Sequence, residues 1–463
     1  MKNSKRKKNY KYTLFNHLNK FKNNFDVFIT NDQKINKVNL NFERNISLRS
    51  ISHLKSKEVI LLFENNFNLA KWIYFLDGYV SRMVILSKNI SSDEIKELSI
   101  KSGGKHIISD YEIELKNFNK IDINSLEKVS IKNIRLENEC NENTEWIIST
   151  SGTTGKSKLV THNLESLTRS TKINRKNDTW GLIYNLEKFA GIQVYLQALL
   201  SESTLVIPNN NKNLNDISIL FSQNKVNCLS ATPSLWKKLL MVKNLKIESL
   251  KNITLGGETS KNNILKALSK KFPNAKIRHI YASTEAGTGF VVSDGLEGFP
   301  LNFLDNNNSQ VKIKISKEGT LMIKSNSCAK NYIGKDKLLK YNGYIDTGDI
   351  IKIENSRCFF VGRKNSVINI GGIKVYPERI EDMLEKMPGI VFAKVNAKKS
   401  SILGNLLEAT IIVKNYKEDI TKFKAKVKNY CNKHLEREMT PSFINIEKDI
   451  KLSNSGKIKR NEK

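Results

Sequence analysis

The sequence predicts an α/β protein: two strand–helix series, then an antiparallel β region, then a small α+β unit. Three observations carry this reading. Short apolar runs alternate with a helical pattern over 57–110, and a second such series ends strands at Pro208 and at Gly256-Gly257. Around 310–325 the period tightens to strict alternation. Strand, helix and strand at this spacing imply a parallel sheet, because parallel neighbours need a crossover connection.

The elements follow in order. Residues 58–63 (EVILLF) read as a buried strand, 67–80 as a helix, and 83–86 (MVIL) as the next strand. Residues 90–110 repeat the unit, with a helix through Ile95 and Leu98, a stop at Gly103-Gly104 and a strand at 106–108. Residues 117–145 are polar and read as a long connection. Residues 203–207 and 253–255 form the strands of the second series. Val311, Ile313 and Ile315 alternate, turn at Glu318-Gly319 and return through Leu321 and Ile323, which is a hairpin. In the last unit, Pro377 opens a helix with Ile380, Met383, Leu384 and Met387 on one face, ended by Pro388-Gly389. Strands at 391–395 and 409–413 and an amphipathic helix through Phe423, Val427, Tyr430 and Cys431 complete it.

At 463 residues the chain exceeds one ordinary core and suggests about two or three domains. No apolar run is long enough to span a bilayer, and the basic start (Lys5, Arg6, Lys7, Lys8) is not followed by a signal-peptide apolar region. The five cysteines (Cys140, Cys228, Cys328, Cys358, Cys431) are scattered and form no CxxC, which fits free thiols in a cytoplasmic protein and not a zinc site. The net charge of +31 invites a nucleic-acid reading. Lysine is spread along the whole chain, however, without an arginine-rich helix or interleaved aromatics. A solvated basic surface that concentrates anionic ligands is the plainer account.

The densest chemistry lies at 149–158 (STSGTTGKSK), directly after the apolar Trp146, Ile147 and Ile148. Glycines let backbone N–H groups turn toward an anion, hydroxyls add donors and lysines supply charge. The spacing is not that of a Walker loop, since the position five before Gly155 holds Thr150. Four more segments share the theme: YASTEAG at 281–287, DTGD at 346–349, GRKNS at 362–366 and SNSGKIKR at 453–460. Singly, Tyr281 reads as core, Asp349 as a turn residue, Arg363 as a surface cation and Lys457 as one of many tail lysines.

Together, and in this order, the five segments resemble the adenylate-forming superfamily of acyl- and aryl-CoA synthetases, adenylation domains and luciferases. The resemblance covers 45–460. STSGTTGKSK is similar to the family's phosphate loop, YASTE to its adenine and phosphate motif, DTGD to its ribose motif and SNSGKIKR to its lysine motif. GRKNSVINIGGIKVYPERIE resembles the hinge and the segment after it. The resemblance implies a large N-terminal domain over 1–363, made of two α/β subdomains and a small β-barrel-like one. A small mobile α+β lid over 364–463 would carry the catalytic lysine.

It also implies roles. Ser151, Gly152, Thr153, Thr154, Gly155 and Lys156 would hold the β,γ-phosphates of ATP. Tyr281, with Ala282 and Ser283 beside it, would lie against adenine, and the backbone of Gly256, Gly257 and Glu258 would close its other side. Thr284 would contact the α-phosphate and Glu285 would take Mg²⁺. Asp349 would bind the ribose hydroxyls, with Arg363 assisting. Lys457 would bridge carboxylate and α-phosphate as a fixed positive charge. Lys364 and Asn365 would form the hinge on which the lid turns between adenylation and thioester formation. Gly371 and Gly372 would leave room for a pantetheine arm. His162 and His279 flank two motifs without a nucleophile or metal to pair with, and read as structural.

The implied activity is ATP-dependent activation of a small carboxylic acid as acyl-AMP, then transfer to CoA. Transfer to the phosphopantetheine of a carrier protein is the close alternative, and a basic nucleic-acid-binding protein without catalysis is a distant third. Amino-acid-activating members carry an aspartate in the segment that here reads NLEKFAG (185–191), and none is present. Where many CoA ligases have histidine, this chain has Lys188, placed either to hold an anionic or polar acid or at the surface.

Overall fold

The computed structural model describes residues 12–126, 142–150, 158–171, 173, 177–209, 212–304, 310–333, 338, 340–400, 404–414, 419–449, 452–453 and 456–458. The first strand–helix series builds a seven-stranded sheet. Five of its strands, Glu145–Thr150, Arg82–Leu86, Glu58–Leu62, His106–Ser109 and Asn119–Asp122, lie side by side and parallel. The second series builds an eight-stranded sheet through Lys276–Ser283, Asn252–Gly256, Cys228–Ala231, Thr179–Gly181 and Thr204–Val206, also parallel.

One core joins the two sheets. Leu61, Met83, Ile85 and Trp146 from the first meet Phe28, Leu205 and Cys228 from the second across the helices Asn66–Leu76 and Phe189–Leu200. Strands apolar on both faces are what a doubly covered parallel sheet requires. A second core fills the far side of the eight-stranded sheet beneath the helices Leu214–Gln223, Pro233–Leu240 and Asn262–Lys271.

The predicted hairpin is present as Val311–Ile315 and Thr320–Ser325, inside a six-stranded antiparallel sheet that also contains Tyr344–Glu354 and Arg357–Arg363. The C-terminal unit is a three-stranded sheet (Ile390–Ser400, Gly404–Val413, Phe443–Glu447) covered by the helices Pro377–Glu385 and Ile420–His434.

Three sequence expectations change. The helix expected over 67–80 ends at Leu76, because Asp77 turns extended and its buried carboxylate accepts hydrogen bonds from Leu14 N (2.8 Å) and Trp146 Nε1 (2.9 Å). The polar connection after 117 contributes an edge strand, Asn119–Asp122. The N-terminal stretch, which carried no predicted element, supplies the last two strands of the eight-stranded sheet, Asp26–Ile29 and the edge strand Lys34–Asn36, and the helix Lys37–Ser50.

Candidate functional site

Described residues of four of the segments singled out by sequence (Tyr281, Glu285, Asp349, Arg363 and Lys457) meet where the parallel strands end, the usual place for a ligand crevice in an α/β sheet. Glu145–Thr150 runs up to the residues read in sequence as a phosphate loop, and Lys158–Asn163 pairs antiparallel with it, Thr150 opposite Lys158. Ser151, Gly152, Thr153, Thr154, Gly155 and Lys156 themselves lie outside the described residues.

The strand Lys276–Ser283 carries Tyr281, whose ring stands nearly parallel to Phe360 (centroids 5.2 Å apart) and to its cross-strand partner Phe290 (5.3 Å). Its hydroxyl donates to one oxygen of Asp349. The other oxygen accepts from Arg363 Nε at 2.8 Å, and Asp349 and Arg363 face each other across paired strands. Burial, and then the charge of Asp349, push the Tyr281 hydroxyl far above the usual tyrosine range. The structure corrects the turn reading of Asp349: it lies within the strand Tyr344–Glu354, braced by Thr347, whose Oγ1 donates to Leu321 O and accepts from Asp349 N.

Immediately downstream, Thr284 and Glu285 sit in a fixed loop. Ser283 Oγ accepts from Ala286 N at 3.0 Å, and the Glu285 carbonyl accepts from Ala329 N at 2.8 Å. The Glu285 carboxylate accepts from Tyr332 OH at 3.2 Å. Gly287 permits this loop: its φ is +69°, and a Cβ there would fall 2.3 Å from Ser327 O. Ala282 packs against the main core.

Lys457 arrives from the C-terminal segment and lies over Gly257. A Cβ on that glycine would be 3.1 Å from Lys457 Cε, so the missing side chain is what leaves room for the lysine stem. Around its ammonium stand Glu258, Asp349, Glu285 and Arg363. Burial, reinforced by Arg363, lowers its pKa, and the three carboxylates oppose that. The Glu258 carboxylate accepts from Ser234 N (2.9 Å) and from Ile458 N (3.0 Å). Gly256 lies near the Tyr184 hydroxyl. The structure thus brings Tyr281, Glu285, Asp349, Arg363, Gly257, Glu258 and Lys457 together from positions as far apart in the chain as Gly257 and Lys457 (Arg363, Glu285, Glu258 and Asp349 within electrostatic reach of Lys457).

Other predicted positions lie apart from this group. Lys364 and Asn365 form a short 3₁₀ turn with Ser366, with Lys364 paired to Glu318. Gly371 and Gly372 occupy the turn of the hairpin Ile368–Ile370 and Ile373–Val375, where a Cβ at either would meet nothing within 4 Å. Lys188, at the N-cap of Phe189–Leu200, is half-buried and donates to Ser149 Oγ at 3.2 Å, the residue on which the STSGTTGKSK segment opens. Burial lowers its pKa and the neighbouring Glu187 opposes this.

Sequence reasoning read His162 as structural and gave it no contact with the site. It is fully buried, its Nε2 lies 2.7 Å from the carbonyl oxygen of Thr284, and its Nδ1 faces Ser166 Oγ at 3.1 Å. Its partner is 122 positions away, so spacing gave no sign of the contact. A polar residue inside the buried run of the strand Lys158–Asn163 was the available signal. His279 bonds Leu296 O at 2.9 Å, away from this cluster, as a structural residue would.

Comparison with known proteins accords with this arrangement. The family model described as AMP-binding enzyme matches residues 73–333. The chain is 24% identical over 435 residues to the 2-succinylbenzoate–CoA ligase of Lactococcus lactis, covering 87% of this chain and 89% of that protein. It is 26% identical over 348 residues to the D-alanine–D-alanyl carrier protein ligase of Staphylococcus aureus, covering 68% and 70%. Among solved structures it resembles the o-succinylbenzoate CoA synthetase of Bacillus subtilis in complex with its acyl-adenylate OSB-AMP, with a TM-score of 0.76 at 19% identity over 97% of each chain. With the family model matched over more than half of its length, the chain belongs to the AMP-binding enzymes, the adenylate-forming ligases.

Proposed function

We propose that the protein is an ATP-dependent acid–thiol ligase that makes an acyl-AMP and then a thioester on CoA. The carrying observation is the placement of Lys457 over Gly257, among the carboxylates of Glu258, Asp349 and Glu285. A free carboxylate has no good leaving group. In the first step its oxygen attacks the α-phosphorus of ATP, the bond to the bridging oxygen breaks, and pyrophosphate departs. In the second step a thiolate adds to the acyl carbonyl and AMP leaves with its electron pair.

Like charges oppose the first approach, so the residues' task is positioning and electrostatic stabilisation. Lys457 is assigned to bridge the incoming carboxylate and the α-phosphate, and Thr284 to hold that phosphate. Each Asp349 oxygen has one protein donor, which leaves acceptor capacity for two ribose hydroxyls. Among the described residues no cluster of three metal-ligating side chains exists. Glu285 therefore suits an ion such as Mg²⁺ that takes one or two carboxylates and completes its shell with phosphate oxygens and water. That ion would neutralise phosphate charge. Residues 364–463 are read as the lid, hinged at Lys364 and Asn365, and Gly371 and Gly372 as the place where a pantetheine arm passes.

The test is exchange of labelled pyrophosphate into ATP over a panel of fatty, aryl, hydroxy and amino acids. Exchange stimulated by at least one acid is expected, and none across the panel would refute the reading. A carrier-bound pantetheine is the second reading, favoured by the likeness to the carrier protein ligase. Offering CoA or a holo carrier protein and weighing the products separates the two.

A further inference from the structure

The lysine-bearing segment does not merely reach the site; it is seated there by groups that the proposed chemistry does not use. Residues 452–453 and 456–458 come together, with Leu452 bridged to Ile458, Ser453 N donating to Lys457 O at 2.7 Å, and Gly456 N donating to Ser453 O at 2.8 Å. Two hydrogen bonds from the large domain bracket Lys457. On one side, the Thr232 hydroxyl donates to the carbonyl of Gly456. On the other, Glu258 Oε1 accepts from the amide of Ile458.

Both groups have a second duty at one helix end. Thr232 is the N-cap of Pro233–Leu240 and accepts from Leu235 N at 3.1 Å, while Glu258 Oε2 accepts from Ser234 N at 2.9 Å. Each is therefore anchored before that segment arrives. Leu452 packs on the core beneath that helix, and Leu452 and Ile458 pack on Phe392 and Ile412 of the C-terminal unit. Gly257 leaves the groove along which the lysine stem lies.

We propose that Thr232 and the Glu258 side chain are positioning residues: they form a receptor for residues 456–458 and fix where the Lys457 charge stands. The catalytic half of this inference rests on the proposed adenylation role of Lys457; the docking half does not. A rigidly held charge stabilises a transition state without reorganising, whereas a loosely tethered one spends time elsewhere. Neither Thr232 nor the Glu258 carboxylate need touch a substrate to have this effect.

The experiment uses the full chain and two readouts. In hydrogen exchange without substrates, Thr232→Val, which removes the hydroxyl, should raise exchange at residues 456–458 about five- to tenfold, the scale of one lost hydrogen bond. Thr232→Ser should restore protection. Glu258→Gln keeps the shape but can accept from only one of the two amides through its single carbonyl oxygen, so exchange at residue 458 should also rise. Unchanged exchange in both Thr232→Val and Glu258→Gln overturns the docking.

In acid-dependent pyrophosphate exchange, Thr232→Val should lower kcat about five- to tenfold with the KM for ATP unchanged, and Thr232→Ser should recover it. On a Lys457→Ala background, Thr232→Val should cost less than twofold more. Equal losses on both backgrounds, or a raised KM for ATP, overturn the positioning role. If the wild-type protein shows no exchange with any acid, the functional reading fails, and hydrogen exchange alone decides the docking.

Discussion

His162 Nε2 lies 2.7 Å from the carbonyl oxygen of Thr284, which ties the strand after the phosphate loop to the residue assigned to the α-phosphate. A carbonyl only accepts, so Nε2 carries the proton and Nδ1 is left as an acceptor beside Ser166 Oγ. The ring is neutral in the fold: burial takes its pKa below the ordinary 6.5, to about 4, against the opposing pull of the Thr284 carbonyl. Between these values the unfolded chain binds the proton and the folded one does not, so this group makes stability rise with pH from about 4 to 6.5. His162→Gln should remove that contribution, read in a series of denaturant titrations. It should also lower acid-dependent pyrophosphate exchange about tenfold, the scale of one misplaced hydrogen bond to a reacting-site loop. Unchanged exchange would leave His162 a core residue only.

Asp77 acts in the opposite sense. Burial raises its pKa from 3.8 to about 6, although Leu14 N, Trp146 Nε1 and the Arg44 charge all favour the carboxylate. Here the folded state holds the proton more tightly, so its contribution falls as pH rises through the same interval. The two groups nearly offset each other in the wild-type protein between about pH 4 and 6. In His162→Gln the Asp77 term should stand exposed as stability that declines with pH across that window. A variant whose stability still climbs there would refute the assignment.

The contrast between these sites shows what was legible in the sequence. Glu58–Leu62 and Arg82–Leu86 announce themselves because a covered parallel strand is apolar along its length. Asn119–Asp122, an edge strand of mostly polar residues, carries no such pattern. The helix Lys37–Ser50 hid for a different reason: Arg44 and Asn45 are buried beside Leu40 and Leu48, with the Arg44 guanidinium 4.2 Å from the Phe15 ring centroid, so its inward face does not read as apolar. For the site, motif order pointed to Tyr281, Glu285, Asp349, Arg363 and Lys457. Contacts such as Thr232 with Gly456, 224 positions apart, depend on how the C-terminal unit sits and leave no local trace.

Lys457→Ala should suppress pyrophosphate exchange by about two to four orders of magnitude, the scale of removing a preorganised charge from a developing negative one. Thioester formation from preformed acyl-AMP no longer needs the carboxylate and α-phosphate held together, and should be largely preserved. Equal loss in both half-reactions would refute a role confined to adenylation. Rapid-quench measurement of the two steps decides it.

Glu285→Gln keeps the shape that Tyr332 OH bonds at 3.2 Å but removes the charge. If Glu285 is the protein's ligand to Mg²⁺, the concentration of Mg²⁺ giving half-maximal exchange should rise about tenfold or more, because hard divalent cations discriminate a carboxylate from an amide. Maximal exchange at saturating Mg²⁺ should fall less than the response at low Mg²⁺. An unchanged titration would remove Glu285 from the metal site.

Lys188 bears on which acid is activated. Its ammonium is half-buried, donates to Ser149 Oγ at 3.2 Å and stands beside Glu187, so it is neither a free surface charge nor a neutralised one. A cation held there costs desolvation, which a second polar or anionic group on the substrate would offset. Lys188→Met preserves most of the apolar stem and removes the charge. If the ammonium holds the substrate, kcat/KM for acids carrying a second anionic group should fall about ten- to a hundredfold, or roughly 1.4 to 2.8 kcal/mol. Simple apolar acids should be little affected, or gain. A loss of the same size for every acid in the panel would mean that Lys188 supports Ser149 and the loop after it, not the substrate.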